Sequence, residues 1–242
     1  MKSKINIGTC GFRTNKEEYV QRLSTVEIQH IFYQPPQVKT LESWRAAVPA
    51  EFEFTLKAWQ LITHESKSPT YKRLRRKLSD AELVQAGSFK PTEIVRDAWE
   101  TTLASATALK ARTVLFQCPA SFKPTKENIA NLENFFSTVE RGKLNFCWEP
   151  RGAWSDDVVK GLCRDHDLWH TVDPFSNTTV TPDRCYFRLH GRKGWRYEYE
   201  NGELEELASL IPDKKLAYVF FNNITMTRDA ETFQKIVNAS AN

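Results

Sequence analysis

The sequence predicts a single (β/α)8 barrel of the TIM type, an α/β fold, and three observations carry that prediction. Eight short apolar runs recur along the 242 residues, stretches with helical spacing separate most of them, and nearly every run ends in a polar or charged side chain. Strand alternating with helix gives a parallel sheet, and a period of eight favours closing that sheet over leaving it open. The length matches the roughly 250 residues of one barrel. Chemistry collected at the C-terminal ends of barrel strands is where such proteins keep their active sites.

The predicted strands are Ile5–Cys10, Val26–Phe32, Phe52–Ala58, Thr113–Cys118, Leu144–Glu149, Leu168–Asp173, Cys185–His190 and Leu216–Asn223. Between them lie helical patterns. Gln37–Val48 repeats Val38, Leu41 and Trp44 at three-residue steps, and Thr92–Ala111 aligns Val95, Ala98, Trp99, Leu103 and Ala106 behind Pro91, a common helix-start residue. Thr125–Glu140 follows Pro124, and Trp154–His166 has Ser155 as a candidate N-cap with Asp156 and Asp157 in the first turn. Glu203–Leu210 and Asp229–Ala239 complete the set. Two links depart from the pattern. The connection between strands 6 and 7, from Asp173 to Cys185, is too rich in turn residues for a helix, and Trp59–Thr113 is too long for one helix. A long insertion after strand 3, Leu61–Lys90, is therefore expected to form an excursion above the barrel. No repeat, low-complexity tract or Pro/Gly-rich linker divides the chain, so residues 1–242 read as one domain.

Composition narrows the functional classes. Hydrophobic residues make up 40% and charged residues 26%, enough apolar material for a full core and enough charge for a wet surface. No run of 18 apolar residues exists, and Met1–Lys4 leads straight into the first apolar run with no signal-peptide pattern. A cytoplasmic protein without a membrane partner is the expectation. Cys10, Cys118, Cys147, Cys163 and Cys185 lie far apart with no C-x-x-C pair, which argues for reduced thiols and against a zinc finger or ribbon. Cys118 reads as a buried hydrophobe rather than a nucleophile. The net charge of +4 is mild, so the placement of basic residues says more than their sum.

Several strand ends carry recognisable motifs: Ile7-Gly8-Thr9-Cys10-Gly11-Phe12, Val26-Glu27-Ile28-Gln29 with Phe32-Tyr33, and Phe54-Thr55-Leu56-Lys57-Ala58 with Ile62-Thr63-His64. Leu115-Phe116-Gln117-Cys118-Pro119, Trp148-Glu149-Pro150-Arg151 with Trp154, Tyr186-Phe187-Arg188-Leu189-His190-Gly191 and Tyr218-Val219-Phe220-Phe221-Asn222-Asn223 continue the series. In this order they resemble the YecE-like family, domain of unknown function 72, over nearly the whole chain. The resemblance implies a (β/α)8 barrel without a settled activity. Its likeness to the endonuclease IV and xylose isomerase group implies a nucleic-acid or sugar ligand at the level of fold analogy. The insert at Thr70–Phe89 departs from the family pattern and suggests an archaeal-type subgroup; Cys10 stands where the family usually has Ser.

Residues two apart in a strand share a face. Glu27 with Gln29, Thr55 with Lys57, Cys147 with Glu149 and Arg151, Thr171 with Asp173, and Tyr186 with Arg188 and His190 are therefore expected to point together into the barrel mouth. Buried charges need partners, and Glu27 beside Lys57, with Glu149 or Asp173 beside Arg188, would balance. A purely structural plug of charges is the competing reading. Glu149 and Asp173, on neighbouring strands, are the best carboxylate pair for general acid/base work, with Glu27 and Lys57 as further catalytic candidates. Lys57 is the amine suited to a Schiff base, because desolvation favours a neutral amine. Arg151, Arg188 and His190 suit an anionic group such as phosphate, and Gln117, Asn222 and Gln29 suit hydroxyls or base edges.

Two basic stretches extend the site. Tyr71–Leu78 holds Lys72, Arg73, Arg75, Arg76 and Lys77, and His190–Tyr197 combines Arg192, Lys193 and Arg196 with Trp195 and Tyr197. Cations interleaved with aromatics suit a phosphodiester backbone and stacked or flipped bases. The expected partner is nucleic acid or a phosphorylated small molecule, with no obligate protein partner evident, and the expected chemistry is hydrolysis or lyase cleavage. A carbohydrate-active hydrolase using a carboxylate pair and a non-catalytic binding barrel are the alternatives. No cofactor is expected. A divalent metal is left open through Glu27, Glu149, Asp173 and His190, although His30, His64, His166, His170 and His190 are too few for a three-zinc cluster of the endonuclease IV kind.

Overall fold

Parallel pairing of eight strands in sequence order closes a barrel. The computed structural model describes residues 4–212 and 216–240. The start of the predicted run-in, Met1–Ser3, lies outside them. The strands are β1 (Lys4–Thr9), β2 (Thr25–Ile28), β3 (Glu53–Lys57), β4 (Thr113–Gln117), β5 (Asn145–Glu149), β6 (Leu168–Val172), β7 (Arg184–Leu189) and β8 (Leu216–Phe221), with β8 returning to β1. Ile7 pairs with Val219 across that seam, Gln117 with Glu149, and Arg188 with Phe220. Every strand lies where its apolar run predicts it, with ends shifted by a residue or two except in β2.

The helices are α1 (Lys16–Tyr19), α2 (His30–Tyr33), α3 (Val38–Ala46), α4 (Gln60–Thr63), α5 (Asp80–Gln85), α6 (Glu93–Leu109), α7 (Lys126–Thr138), α8 (Asp156–Asp165), α9 (Asn201–Ser209) and α10 (Met226–Ser240). The long ones match the predicted patterns. Thr125 caps α7 by accepting from the Asn128 N–H, whereas Ser155, at the N-cap position of α8, makes no side-chain cap bond. The short helices α1, α2, α4 and α5 have too few residues for a periodicity to register.

The correction at β2 matters for the site. Its apolar run continues to Phe32, but the extended backbone stops at Ile28: Gln29 turns to φ −91, ψ −23 and opens α2. Gln29 therefore does not share a face with Glu27. The helix-poor link after β6 is as expected, pinned by Thr181 and Val180 onto the two sides of His170. The insertion after β3 runs through α4, a 3-10 turn at Pro69–Arg73 and α5, then returns as the Gly87 and Phe89 N–H groups bond the carbonyls of Leu61 and Ile62.

Contacts group the chain into two compact units: Met1–Ile28 with Ala47–Phe54 and Trp169–Asn242, and Gln29–Ala46 with Thr55–Leu168. In the second, Phe116 and Phe146 pack on Trp99 of α6 (5.8 and 5.2 Å between ring centroids) and on Phe136 of α7. Each such ring contributes ~1.5–3 kcal/mol of burial. Alternation then turns Gln117, Cys147 and Glu149 away from the helices. In the first unit, Phe221 packs on Phe233 of α10, while Tyr186, Tyr218 and Phe220 stack on the other face with Arg188 in their alternation. Among the described residues no helix is long and apolar enough to cross a membrane.

Candidate functional site

In the second unit the ends of β3, β4 and β5 bring together Lys57, Gln117, Glu149 and Arg151, with His64 from the turn after α4. Lys57 is buried, and its Nζ lies 3.4 Å from the centre of the Phe32 ring, a cation–π contact made inside the protein. Arg151, just past β5, donates to Glu149 Oε1 from Nε (2.9 Å) and Nη2 (2.6 Å). The Glu149 side chain is 9% exposed, but that of Arg151 is 40% exposed, so the guanidinium can meet a ligand. His64 is buried edge-on to Phe32, its Nδ1 2.7 Å from Thr63 Oγ1. Burial, followed by the charges of Lys57 and Arg151, lowers its pKa to about 3. The ring is neutral at physiological pH, with the Lys57 and Arg151 charges near it.

Cys118, next to this cluster, accepts a 3.3 Å bond from Trp148 Nε1, and burial pushes its thiol up to about 12. That environment suits a small hydrophobe rather than a nucleophile. Gln117 is half-buried beside Glu149 in the β4–β5 register.

In the first unit Glu27 and Arg188 form a pair that is 0% and 1% exposed. Arg188 donates from Nε (3.1 Å to each oxygen) and from Nη2 (2.9 Å), Tyr186 OH donates at 2.7 Å, and Cys10 Sγ donates at 3.2 Å. Burial raises the Cys10 thiol well above its ordinary value, with the Glu27 charge adding to it. Glu27 and Arg188 are thus enclosed and paired with each other, at an exposure that gives a ligand no direct access. His190 is half-buried at the end of β7, with Nε2 3.5 Å from Arg188 Nη1. Asp173 accepts from the backbone N–H of Phe175 in its own loop and from that of His190 after β7. Asn222 is half-buried after β8, and its N–H bonds the Leu189 carbonyl.

The loop after β7 departs from expectation in part. Arg192 is ion-paired to Glu203 (2.8 Å) and to Glu206 and lies over Phe175, while Tyr197 OH donates to Glu203. Those two side chains serve the loop's own structure. Lys193, Trp195 and Arg196 remain exposed. In the Tyr71–Leu78 stretch Arg73 stacks on Tyr33 and Arg76 pairs with Glu82, leaving Lys72, Arg75 and Lys77 exposed without an ion pair among the described residues.

Sequence reasoning quoted three contributors in its motifs but gave them no site role. His64 and Phe32 lie outside regular strands, where alternation gives no signal. Asn223, buried, donates to Asp229 Oδ2 (2.6 Å) and the Tyr197 carbonyl (2.8 Å), a role that only the folded loop reveals. Among the described residues no three His, Cys, Asp or Glu side chains gather into a group able to hold a metal, so the donor set does not fit a zinc cluster and no step is assigned to one.

A closed eight-stranded parallel barrel with ionisable groups at its strand ends defines the class: a TIM-type barrel protein. The chain belongs to the family described as "Protein of unknown function DUF72", whose profile matches residues 12–242. It is 22% identical to the UPF0759 protein YunF of Bacillus subtilis, over 86% of this chain and 79% of that protein. A DUF72 family protein of Enterococcus faecalis superposes with a TM-score of 0.74 (22% identity, 97% and 95% of the two chains), and one of Thermotoga maritima with 0.69 (21%, 97% and 99%). Similarity of fold alone extends to a D-tagatose 3-epimerase-like protein (TM-score 0.56, 16% identity, all of both chains) and to endonuclease IV of Thermus thermophilus (0.53, 10%, 97% and 99%).

Proposed function

We propose that this chain is a cytoplasmic barrel enzyme acting on a phosphate-bearing substrate, with nucleic acid the leading class, by hydrolysis or lyase chemistry. One observation carries the reading: the ends of β3 and β5 set two cations, buried Lys57 and part-exposed Arg151, near a His64 that stays neutral, with Glu149 held by Arg151. Two cations beside a neutral imidazole, one of them an arginine open to solvent, suit a site for an anion. Lys57 supplies a fixed point charge, Arg151 a fork that can take two phosphate oxygens, and Glu149 the carboxylate for proton transfer. Exposed Lys72, Arg75 and Lys77 add basic surface in the insertion, which we take as the mark of an archaeal-type subgroup of the YecE-like branch. The fold-level likeness to endonuclease IV is compatible with this reading and adds little weight alone.

The carbohydrate alternative needs a free carboxylate pair. Glu149 engaged by Arg151, and Glu27 by Arg188, count against it.

The test is binding of single- and double-stranded DNA and RNA across a salt series. A nucleic-acid ligand gives affinity falling steeply with salt, because each neutralised phosphate releases counterions. A phosphorylated small molecule gives a slope near that of one contact. Lys57→Met and Arg151→Met should each weaken binding about tenfold or more. Salt-insensitive or absent binding overturns the proposal. Borohydride trapping on abasic DNA tests one chemistry: a covalent adduct lost in Lys57→Met marks a lyase in which the deprotonated Lys57 amine condenses with the C1′ aldehyde, losing water, to an imine, and no adduct excludes that imine route. Full turnover by Glu149→Gln would reassign the acid/base role.

A further inference from the structure

We infer that Trp195 is a stacking platform for an unpaired nucleobase, so that the nucleic acid recognised is single-stranded or locally opened. The inference rests on the nucleic-acid reading above and adds a site at the loop after β7. Trp195 is 59% exposed, the most exposed tryptophan described, in a protein that buries Trp59, Trp99, Trp148 and Trp169. An indole left in water carries an apolar penalty that a flat, apolar ligand face would relieve. The Arg196 guanidinium lies 5.1 Å from the Trp195 ring centre and has no carboxylate partner among the described residues. A cation beside the indole, together with exposed Lys193, supplies the charge that a phosphodiester flanking the stacked base requires.

The platform is held in place rather than left to flex. Gly191 opens the loop at φ +85, where an added Cβ would lie 2.4 Å from both the Gly194 carbonyl oxygen and Tyr197 Cβ, so only glycine permits this turn. The Gly191 N–H bonds Tyr199 OH (3.0 Å), and the Gly194 and Tyr197 N–H groups bond the carbonyls of Gly191 and Gly194. Ile224 N–H closes on the Trp195 carbonyl at 2.6 Å, and Asn223 ties the Tyr197 carbonyl to Asp229. With Arg192 and Tyr197 committed to Glu203, the groups facing solvent are those a base and its phosphate would use: an indole, a guanidinium and an ammonium. A rigid aromatic with few rotors binds at small entropic cost. Ile224, whose N–H bonds the Trp195 carbonyl, is also exposed (55%).

The experiment titrates the full chain with oligo(dT) and the matching blunt duplex, following tryptophan fluorescence and anisotropy of labelled DNA. Wild type is expected to prefer the single strand and to show quenching that Trp195→Phe removes. Trp195→Phe, which keeps a π face, should bind within about threefold of wild type, whereas Trp195→Leu and Trp195→Ala should lose about tenfold, the loss typical of one stacked base. Arg196→Gln should lose less and flatten the salt dependence. If Trp195→Leu binds as wild type does while Lys57→Met is weakened, the platform is refuted and the nucleic-acid reading stands. If wild type binds neither DNA, both fall. Concentration-dependent dimerisation abolished by Trp195→Ala, without a change in DNA affinity, would show the patch to be a protein contact and would also overturn the inference.

Discussion

Acidification should destabilise this protein through His64, and the size of the effect follows from its burial. The ring is enclosed, and its pKa falls to about 3 from an ordinary 6.5, first because burial disfavours the imidazolium and then because Lys57 and Arg151 repel it. In the unfolded chain the same ring is hydrated and takes up its proton near the ordinary value. Below that value the unfolded state binds a proton that the folded state refuses, so stability is lost as pH falls through the window from 6.5 to about 3. Between about pH 7 and pH 5 the linkage amounts to about 2 kcal/mol, since each pH unit below the unfolded value contributes about 1.4 kcal/mol. Urea denaturation of wild type and His64→Leu at both pH values isolates it, because the other titrating groups are common to the two chains. Wild type should lose about 2 kcal/mol more than the variant. Equal losses would mean that the folded ring accepts its proton freely, and the neutral imidazole assigned to the cluster would lose its basis.

Other perturbations test the remaining contacts. Arg188→Met should cost ~3–5 kcal/mol in urea denaturation, because it strands the Glu27 carboxylate in an enclosed site, and the double change with Glu27→Gln should recover part of it. Gly87→Ala should lower stability by ~1–3 kcal/mol or more, since φ is +82 there and the new Cβ would lie 2.3 Å from the His64 carbonyl oxygen. A thiol reagent at neutral pH should leave Cys10, Cys118, Cys147, Cys163 and Cys185 unmodified until denaturant is added; rapid loss of one thiol would contradict their burial.

The barrel was legible because its determinants are local. Apolar runs of strand length, helical stripes behind Pro91 and Pro124 and turn-rich links each survive in the fold with small shifts at their ends. The site was legible in its membership and less so in its pairing. Period-two alternation correctly turned Glu149 and Arg188 away from the outer aromatics, but it could not say which cation each carboxylate would meet. Arg151 turned back onto Glu149 and Arg188 onto Glu27, and both choices depend on side-chain reach after the strand ends. Gln29 failed for a different reason. An apolar run through Phe32 reads as strand, yet Ile31 and Phe32 bury themselves just as well from a helical turn, and hydrophobicity alone cannot separate the two. His64 stood in a quoted motif without a site role because its position depends on the turn after α4, which no spacing marks.

Accessibility separates the two charged groups more sharply than residue type does. Glu27 and Arg188 have the chemistry of a catalytic pair, but at 0% and 1% exposure a substrate would have to unfold the strand ends to touch them. Opening them would cost several kcal/mol in stranded charge, far more than a weak initial encounter returns. Arg151, at 40%, has no such barrier: it can rotate one N–H toward a phosphate while another stays on Glu149. Turning that N–H to an anion would leave Glu149 one guanidinium bond fewer and loosen the carboxylate that the proposed chemistry needs. Substrate would thus release its own acid/base group, and Arg151→Lys, which keeps the charge but loses the fork, should retain binding to within about tenfold while turnover falls further. Equal losses in both would show that Arg151 only binds, and would leave Glu149 without this means of activation.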